Sequence, residues 1–209
     1  MKRTTTKSFN FLLIAAFSLL MASCGQNESQ SENTKTDSLA LQPVVKTDSL
    51  SGKPANSGML DSIVVEGLTK NIPAPVGYTN DFEHIYSKAE IRSLDLLAKV
   101  IEKESSMEIA LVTLDSSMTN RKDFSKTVLA LANKWGVGKK GKNNGILIGI
   151  SKQLRTIWIR TGTGLEKKLD NKQTTDIIKT VFLPRFKQNK FYEGTKQGVI
   201  ELYKETNRN

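Results

Sequence analysis

The chain has 209 residues, 38% hydrophobic and 25% charged, with 14 Gly, 5 Pro, one Cys and one His, a composition that suits one domain with appended segments. A single Cys and a single His exclude a disulfide framework, an all-protein zinc site and a Cys/His dyad. Lys and Arg total 31 against 21 acidic residues, a net charge of +10, so anionic partners are favoured at the surface.

Lys2, Arg3 and Lys7 precede an uncharged run from Phe11 to Ala22 that ends at Ser23-Cys24. The run is shorter than the ~20 residues a membrane-crossing helix needs, and reads as the core of a bacterial export signal over residues 1–23. Leu20-Met21-Ala22-Ser23-Cys24 resembles a lipobox, in which the Cys becomes the lipidated, palmitate-bearing first residue of the mature chain. Met21 departs from the usual Leu, and the plainer alternative for Cys24 is a free thiol beside an ordinary cleavage site. Several acyl chains would hold the protein on the membrane. Gly25 shows no inner-membrane retention signal, which favours the outer membrane of a bacterial envelope and leaves leaflet and sidedness open. Without Lys2, Arg3 and Lys7 the net charge falls from +10 to +7. An exported chain with no interleaved aromatic recognition motif is expected to bind no nucleic acid. Anionic lipid or envelope polymer is the expected counter-ion.

Residues 24–71 are rich in Ser, Thr, Asn, Gln and Lys without sustained periodicity, and read as a disordered tether. Lys35-Thr36-Asp37-Ser38-Leu39 recurs as Lys46-Thr47-Asp48-Ser49-Leu50, too few copies for a solenoid and consistent with a duplicated linker. The reach of such a tether is roughly 35 to 40 Å.

From residue 72 the pattern alternates between helix and strand. Ser87-Lys88-Ala89-Glu90 is a capping box, and Ile91, Leu94, Ala98 and Ile101 share one helical face to about Glu104. Met107–Leu114 reads as a strand, and Asp123 can cap a helix over Phe124–Trp135 that Gly136 ends. Gly145–Ile150 is apolar on both faces, as a central strand is. Strand, helix and strand predict a right-handed parallel crossover, after which Arg155–Thr161 returns antiparallel, because Lys152-Gln153-Leu154 is too short for another crossover. A helix from Asn171 or Thr174 should be kinked or ended by Pro184, and a last helix covers about Phe191–Lys204. These elements specify an α/β fold: a mixed, mostly parallel central sheet flanked by helices on both faces, a three-layer sandwich over residues 72–209.

Ile72-Pro73-Ala74-Pro75-Val76-Gly77-Tyr78-Thr79-Asn80-Asp81-Phe82, Ile109–Ser116, Trp135-Gly136-Val137-Gly138 with Asn143-Asn144-Gly145-Ile146-Leu147, Gly162-Thr163-Gly164-Leu165-Glu166 and Leu183-Pro184-Arg185-Phe186 together resemble a TPM domain. The resemblance implies an α/β sandwich often tethered to a membrane. It implies a family containing a thylakoid-lumen acid phosphatase, divalent-cation-binding bacterial members and a receptor-accessory protein. Such a family spans enzyme and non-enzyme, so the site has to be argued separately.

The C-terminal ends of parallel strands share one edge, where open α/β sheets bind ligands. Asp115 falls there, and Asn80, Asp81 and the Lys152–Arg155 hairpin should lie on the same side. Two carboxylates, an amide and backbone carbonyls are the hard oxygen ligands of Ca²⁺ or Mg²⁺. The plainer alternative makes Asp81 a turn cap and Asp115 a strand end with a local side-chain-to-backbone bond. Many members of the family that the chain resembles carry an acidic residue in the hairpin, where this chain has Lys152 and Gln153, so cation affinity should be weak. Arg155 could instead bind an anion, holding a phosphate oxygen bidentately.

The opposite edge should gather Asn143, Asn144, Gly162, Gly164 and Glu166, more simply a set of tight turns than a phosphate loop. Trp135 and Trp158 are expected in the core, His84 at a helix entry, and Lys139, Lys140 and Lys142 in a solvated basic loop. The leading expectation is a lipid-anchored accessory module that docks on an envelope membrane protein or assembly. A divalent-cation site would shape its loops, and the oligomeric state stays open. The alternative is a metal-assisted acid phosphatase acting on phosphomonoesters, with Asp81 and Asp115 as ligands. A third is a polyanion binder sensitive to salt.

Overall fold

A computed structural model describes residues 58–208. The export signal, Cys24 and the first part of the expected tether lie outside them. The elements run α1 (Gly58–Thr69), β1 (Thr79–Asp81), α2 (Lys88–Ser105), β2 (Glu108–Thr113), α3 (Phe124–Trp135), β3 (Gly145–Ser151), β4 (Thr156–Thr161), α4 (Asn171–Ile177), a π-helical turn (Ile178–Phe182), α5 (Leu183–Phe186) and α6 (Phe191–Thr206). The sheet order is β1-β2-β3-β4. β1 and β3 both run parallel to β2, and β4 returns antiparallel to β3, with Ile146 opposite Thr161 and Ser151 opposite Thr156.

Alternation along the strands separates two cores. Ile109 and Leu111 of β2, Ile146, Ile148 and Ile150 of β3, and Ile157 and Ile159 of β4 pack with Leu94 and Ile101 of α2, Phe182 of the π turn, and Val199 and Leu202 of α6. On the other face, Ala110, Val112 and Leu147 pack with Phe124, Val128 and Leu131 of α3. Strands buried on both sides need a helical layer on each, which makes the mixed, mostly parallel sheet the middle layer of a sandwich.

The Ser87/Glu90 capping box forms, with Glu90 N donating to Ser87 Oγ and Ser87 N to Glu90 Oε2. α3 spans the expected residues, and Gly136 takes the left-handed conformation at φ 65°. Asp123 precedes α3 without capping it. Its carboxylate accepts instead from Asn120 Nδ2.

Three features depart from the sequence reading. The end of the segment taken as a tether is helical: α1 packs against α3, where Lys134 Nζ donates to the carbonyl and hydroxyl oxygens of the buried Thr69. A helix this short is marginal alone, so its docking supplies what local periodicity does not. β1 carries only Thr-Asn-Asp, too short and polar for a strand pattern, and is held by its pairing with β2.

Pro184 does not end the helical course, which continues through it to Phe186. The preceding turn widens, with Leu183 N donating to Ile178 O, and Pro184 sits at the start of α5. Proline in an ordinary helix interior lacks its donor and clashes with the carbonyl four residues back, a conflict that a π turn relieves.

The Phe182 ring on this turn lies so near Gly198 of α6 that an added Cβ would sit 2.0 Å from its Cζ. Gly198→Ala should therefore destabilise the protein by about 2 kcal/mol through overpacking, read as a lower denaturant midpoint. An unchanged midpoint would show that α6 shifts freely.

Candidate functional site

The C-terminal ends of β1, β2 and β3 bring together the segment after β1, the loop after β2 and the β3–β4 hairpin. Asp81 ends β1, and its carboxylate is engaged on both oxygens. Oδ1 accepts the Thr113 hydroxyl at 2.6 Å and Ile85 N at 3.1 Å, and Oδ2 accepts Tyr86 N at 2.9 Å. It ties β1 to β2 and caps the turn that leads into α2. Asn80 is 2% exposed, with Oδ1 accepting Val76 N and Nδ2 donating to Gly77 O. Its amide is committed to the loop before β1.

Asp115 opens the loop after β2. Its Oδ1 accepts Ser117 N at 2.8 Å, Ser117 Oγ at 2.6 Å and Met118 N at 3.1 Å. The Ser117 hydroxyl and then the two amides favour the anion against partial burial, and hold the carboxyl below its usual range. Among the described residues no hydrogen bond reaches Oδ2.

Glu83, which the sequence reading passed over, joins this edge to the hairpin. Oε1 accepts Ser151 Oγ at 2.8 Å and Gln153 N at 3.1 Å, and Oε2 accepts Lys152 N at 2.7 Å. These partners lie 68 to 70 residues away in sequence, so no local pattern could have exposed the role. Ser116 N and Oγ donate to Gln153 Oε1, and Arg121 donates twice to Leu154 O, at 3.1 and 2.7 Å. The hairpin is thus braced from two sides. Arg155 takes φ 50° at its end and lines a cleft with Lys152 and Lys187. His84 is exposed in the turn after β1 at φ 54°.

Among the described residues no group of three or more His, Cys, Asp or Glu has a metal-holding arrangement. Among the described residues the carboxylate oxygens at this edge with capacity to spare are Asp115 Oδ2, which accepts no bond, and Asp81 Oδ2 and Glu83 Oε2, which accept one each.

The opposite edge is built from backbone. An added Cβ would sit 2.1 Å from Asn143 O at Gly162 and 2.0 Å from Lys142 O at Gly164. Gly162 N donates to Gly145 O and Gly164 N to Asn143 O, so both amides are used within the turns rather than facing an anion. Asn143 takes φ 47°, and Asn144 Nδ2 donates to Ser106 O. Nearby, Tyr78 donates to Glu102 Oε2 at 2.5 Å, and the carboxylate pushes the phenol up to about 12. Glu102 is lowered in return, by Tyr78 and then by Lys139, whose ammonium lies 3.2 Å away. Trp135 and Trp158 are partly buried against the α3-side core.

The model of the TPM domain matches residues 79–205, more than half of the chain. The chain belongs to the TPM domain family. The matched span of the TPM domain runs from β1 into α6 and includes every element of the sheet. A solution structure of the N-terminal domain of a P. gingivalis protein is 26% identical, with a TM-score of 0.56, and the alignment covers 68% of this chain and 85% of that one. The N-terminal domain of the cg2496 protein from Corynebacterium glutamicum is 12% identical with a TM-score of 0.47, over 62% of this chain and 79% of that one. No curated protein matches.

Because the Asp115 carboxyl is held low, its contribution to stability is complete above the ordinary Asp range and is lost as pH falls through its folded value. Asp115→Ala should cost about 1 to 2 kcal/mol at neutral pH. The gap from the parent should narrow as acid unfolding proceeds below about pH 4. A gap independent of pH would remove the ionised carboxylate from the account.

Proposed function

We propose that this TPM-domain protein is a lipid-anchored accessory module of a bacterial envelope, which presents the braced loops at the C-terminal sheet edge to a membrane protein or assembly. The observation that carries this reading is the use of the carboxylates. Glu83 is spent on two amides and a hydroxyl at the β3–β4 hairpin, 68 to 70 residues away, Asp81 on the Thr113 hydroxyl of β2 and the nearby Ile85 and Tyr86 amides, and Asp115 on the loop that follows it. Such bonding favours a preorganised surface, which lowers the ordering cost of docking. The anchor in this reading is Cys24, on the outer membrane. Cys24→Ser should move the protein from the membrane fraction to the soluble fraction, and unchanged partitioning would remove the anchor.

A divalent cation, Ca²⁺ or Mg²⁺, would draw on Asp115 Oδ2 and the remaining lone pairs of Asp81, with Asn80 reaching it only by giving up its loop bonds. This donor set is poor in free charge, and Lys152 adds a repulsive ammonium to the hairpin. The expected affinity is therefore in the weak range of about 10⁻⁴ to 10⁻³ M.

The second reading is a metal-assisted phosphatase. It is favoured by the free oxygen of Asp115 in a loop that bonds, through Ser116, the hairpin carrying Arg155. There the cation would polarise the phosphate, and Arg155 would steady the anion.

Calorimetric titration of the full-length protein with Ca²⁺, Mg²⁺ and Mn²⁺, beside a phosphomonoester turnover assay on the same preparation, separates the two. Weak binding that Asp115→Asn abolishes, without turnover, is the expected result. Turnover that falls in the same variant would replace the accessory reading with the phosphatase, and absence of both signals would remove the cation from either.

A further inference from the structure

Between the β3–β4 hairpin and the α5–α6 turn lies a cleft of about 420 Å³, within the size range of small-ligand sites. Its lining includes Leu183, Phe186 and Phe191 together with Lys152, Arg155 and Lys187, and no acidic residue. Among the described residues none of these three cations forms an ion pair. Lys152 Nζ lies 5.5 Å from the centroid of the Phe191 ring, a cation–π approach that still leaves its donors available. Phe191 begins α6, whose first turn carries Glu193 against the positive end of the helix, so the cationic rim consists of Lys152, Arg155 and Lys187.

An apolar floor beneath three unneutralised cations selects a ligand with both characters. We propose that this cleft binds an amphipathic carboxylate: an apolar body about the size of one or two side chains, ending in a single carboxylate. The Arg155 guanidinium matches the planar carboxylate with parallel donors, and Lys152 and Lys187 supply point charges beside it. Phe186 and Phe191, whose rings lie 4.9 Å apart, receive the apolar part.

A phosphate group fits the cleft less well. The hairpin amides that could form a phosphate-holding nest are taken, Lys152 N and Gln153 N by Glu83 and Leu154 N by Ser151 Oγ. The anion therefore depends on side-chain donors, and the smaller donor demand of a carboxylate suits that supply. The carboxylate could belong to a free organic acid or to the C-terminus of a polypeptide with an apolar last residue. The inference stands on the cleft alone and would survive failure of the cation site at Asp81 and Asp115.

Titration of the full-length protein with phenylpropionate, its neutral amide and inorganic phosphate tests the proposal. Saturable binding of the acid is expected, with the amide and phosphate each at least about 10-fold weaker, and Arg155→Gln or Lys187→Gln should weaken the acid by about 10-fold. Arg155→Gly guards against a folding artefact. It removes the guanidinium and also relieves a left-handed backbone position, so binding should fall while the melting temperature holds or rises. A short peptide with a free C-terminal Leu, compared with its amidated form, distinguishes the sources: tighter binding than phenylpropionate assigns a polypeptide terminus, and weaker binding assigns a free acid. Equal binding of acid and amide, phosphate binding as tight as the acid, or no binding of any carboxylate would overturn the proposal.

Discussion

Burial of β2 and β3 on both faces is the constraint from which the rest of the molecule follows. Ile109, Val112, Ile146, Leu147 and Ile148 are all fully buried, so a helical layer is needed on each side and the middle of the sheet holds little that is chemically reactive. Polar groups collect at the strand ends, where the backbone leaves the sheet and its amides need new acceptors. Each edge is therefore first a problem of hydrogen bonding, and any binding chemistry has to be built on the solution.

The two edges solve that problem differently. At the edge near Asn143 the backbones approach so closely that Gly162 and Gly164 have no room for a side chain, and the amides bond other carbonyls. At the edge near Asp81, carboxylates take the amides. Glu83 has the longest reach, since it anchors the hairpin between β3 and β4 to the segment after β1. Once its two oxygens hold that hairpin, Lys152, Arg155 and Lys187 are left along the cleft without an anionic partner among the described residues.

Features governed by local physics were legible in the sequence. The Ser87/Glu90 cap, the Phe124–Trp135 helix with Gly136 after it, the apolar Gly145–Ile150 run and the short hairpin each depend on neighbours within a few residues. Together they were enough to imply the layered α/β fold, whereas the TPM resemblance rested on five sequence blocks in order from Ile72 to Phe186. What escaped depends on distant partners. β1 exists because β2 accepts its pairing, and α1 because α3 offers a surface. The candidate site divides in the same way. Asp81 and Asp115 were visible as carboxylates next to strand ends, and their local bonds followed a familiar turn chemistry. Glu83 had no such signal, and the cleft joins residues 151–157 to residues 183–191 only in the folded chain.

The central claim is that carboxylates at this edge set the positions of its loops, and amide hydrogen exchange resolved by residue tests it most directly. In Glu83→Ala, the amides of Lys152 and Gln153 should exchange faster than in the parent, while Ile85 and Tyr86, held by Asp81, keep their protection. Unchanged protection at Lys152 and Gln153 would contradict the account, because the hairpin would then hold its shape without the carboxylate assigned to brace it.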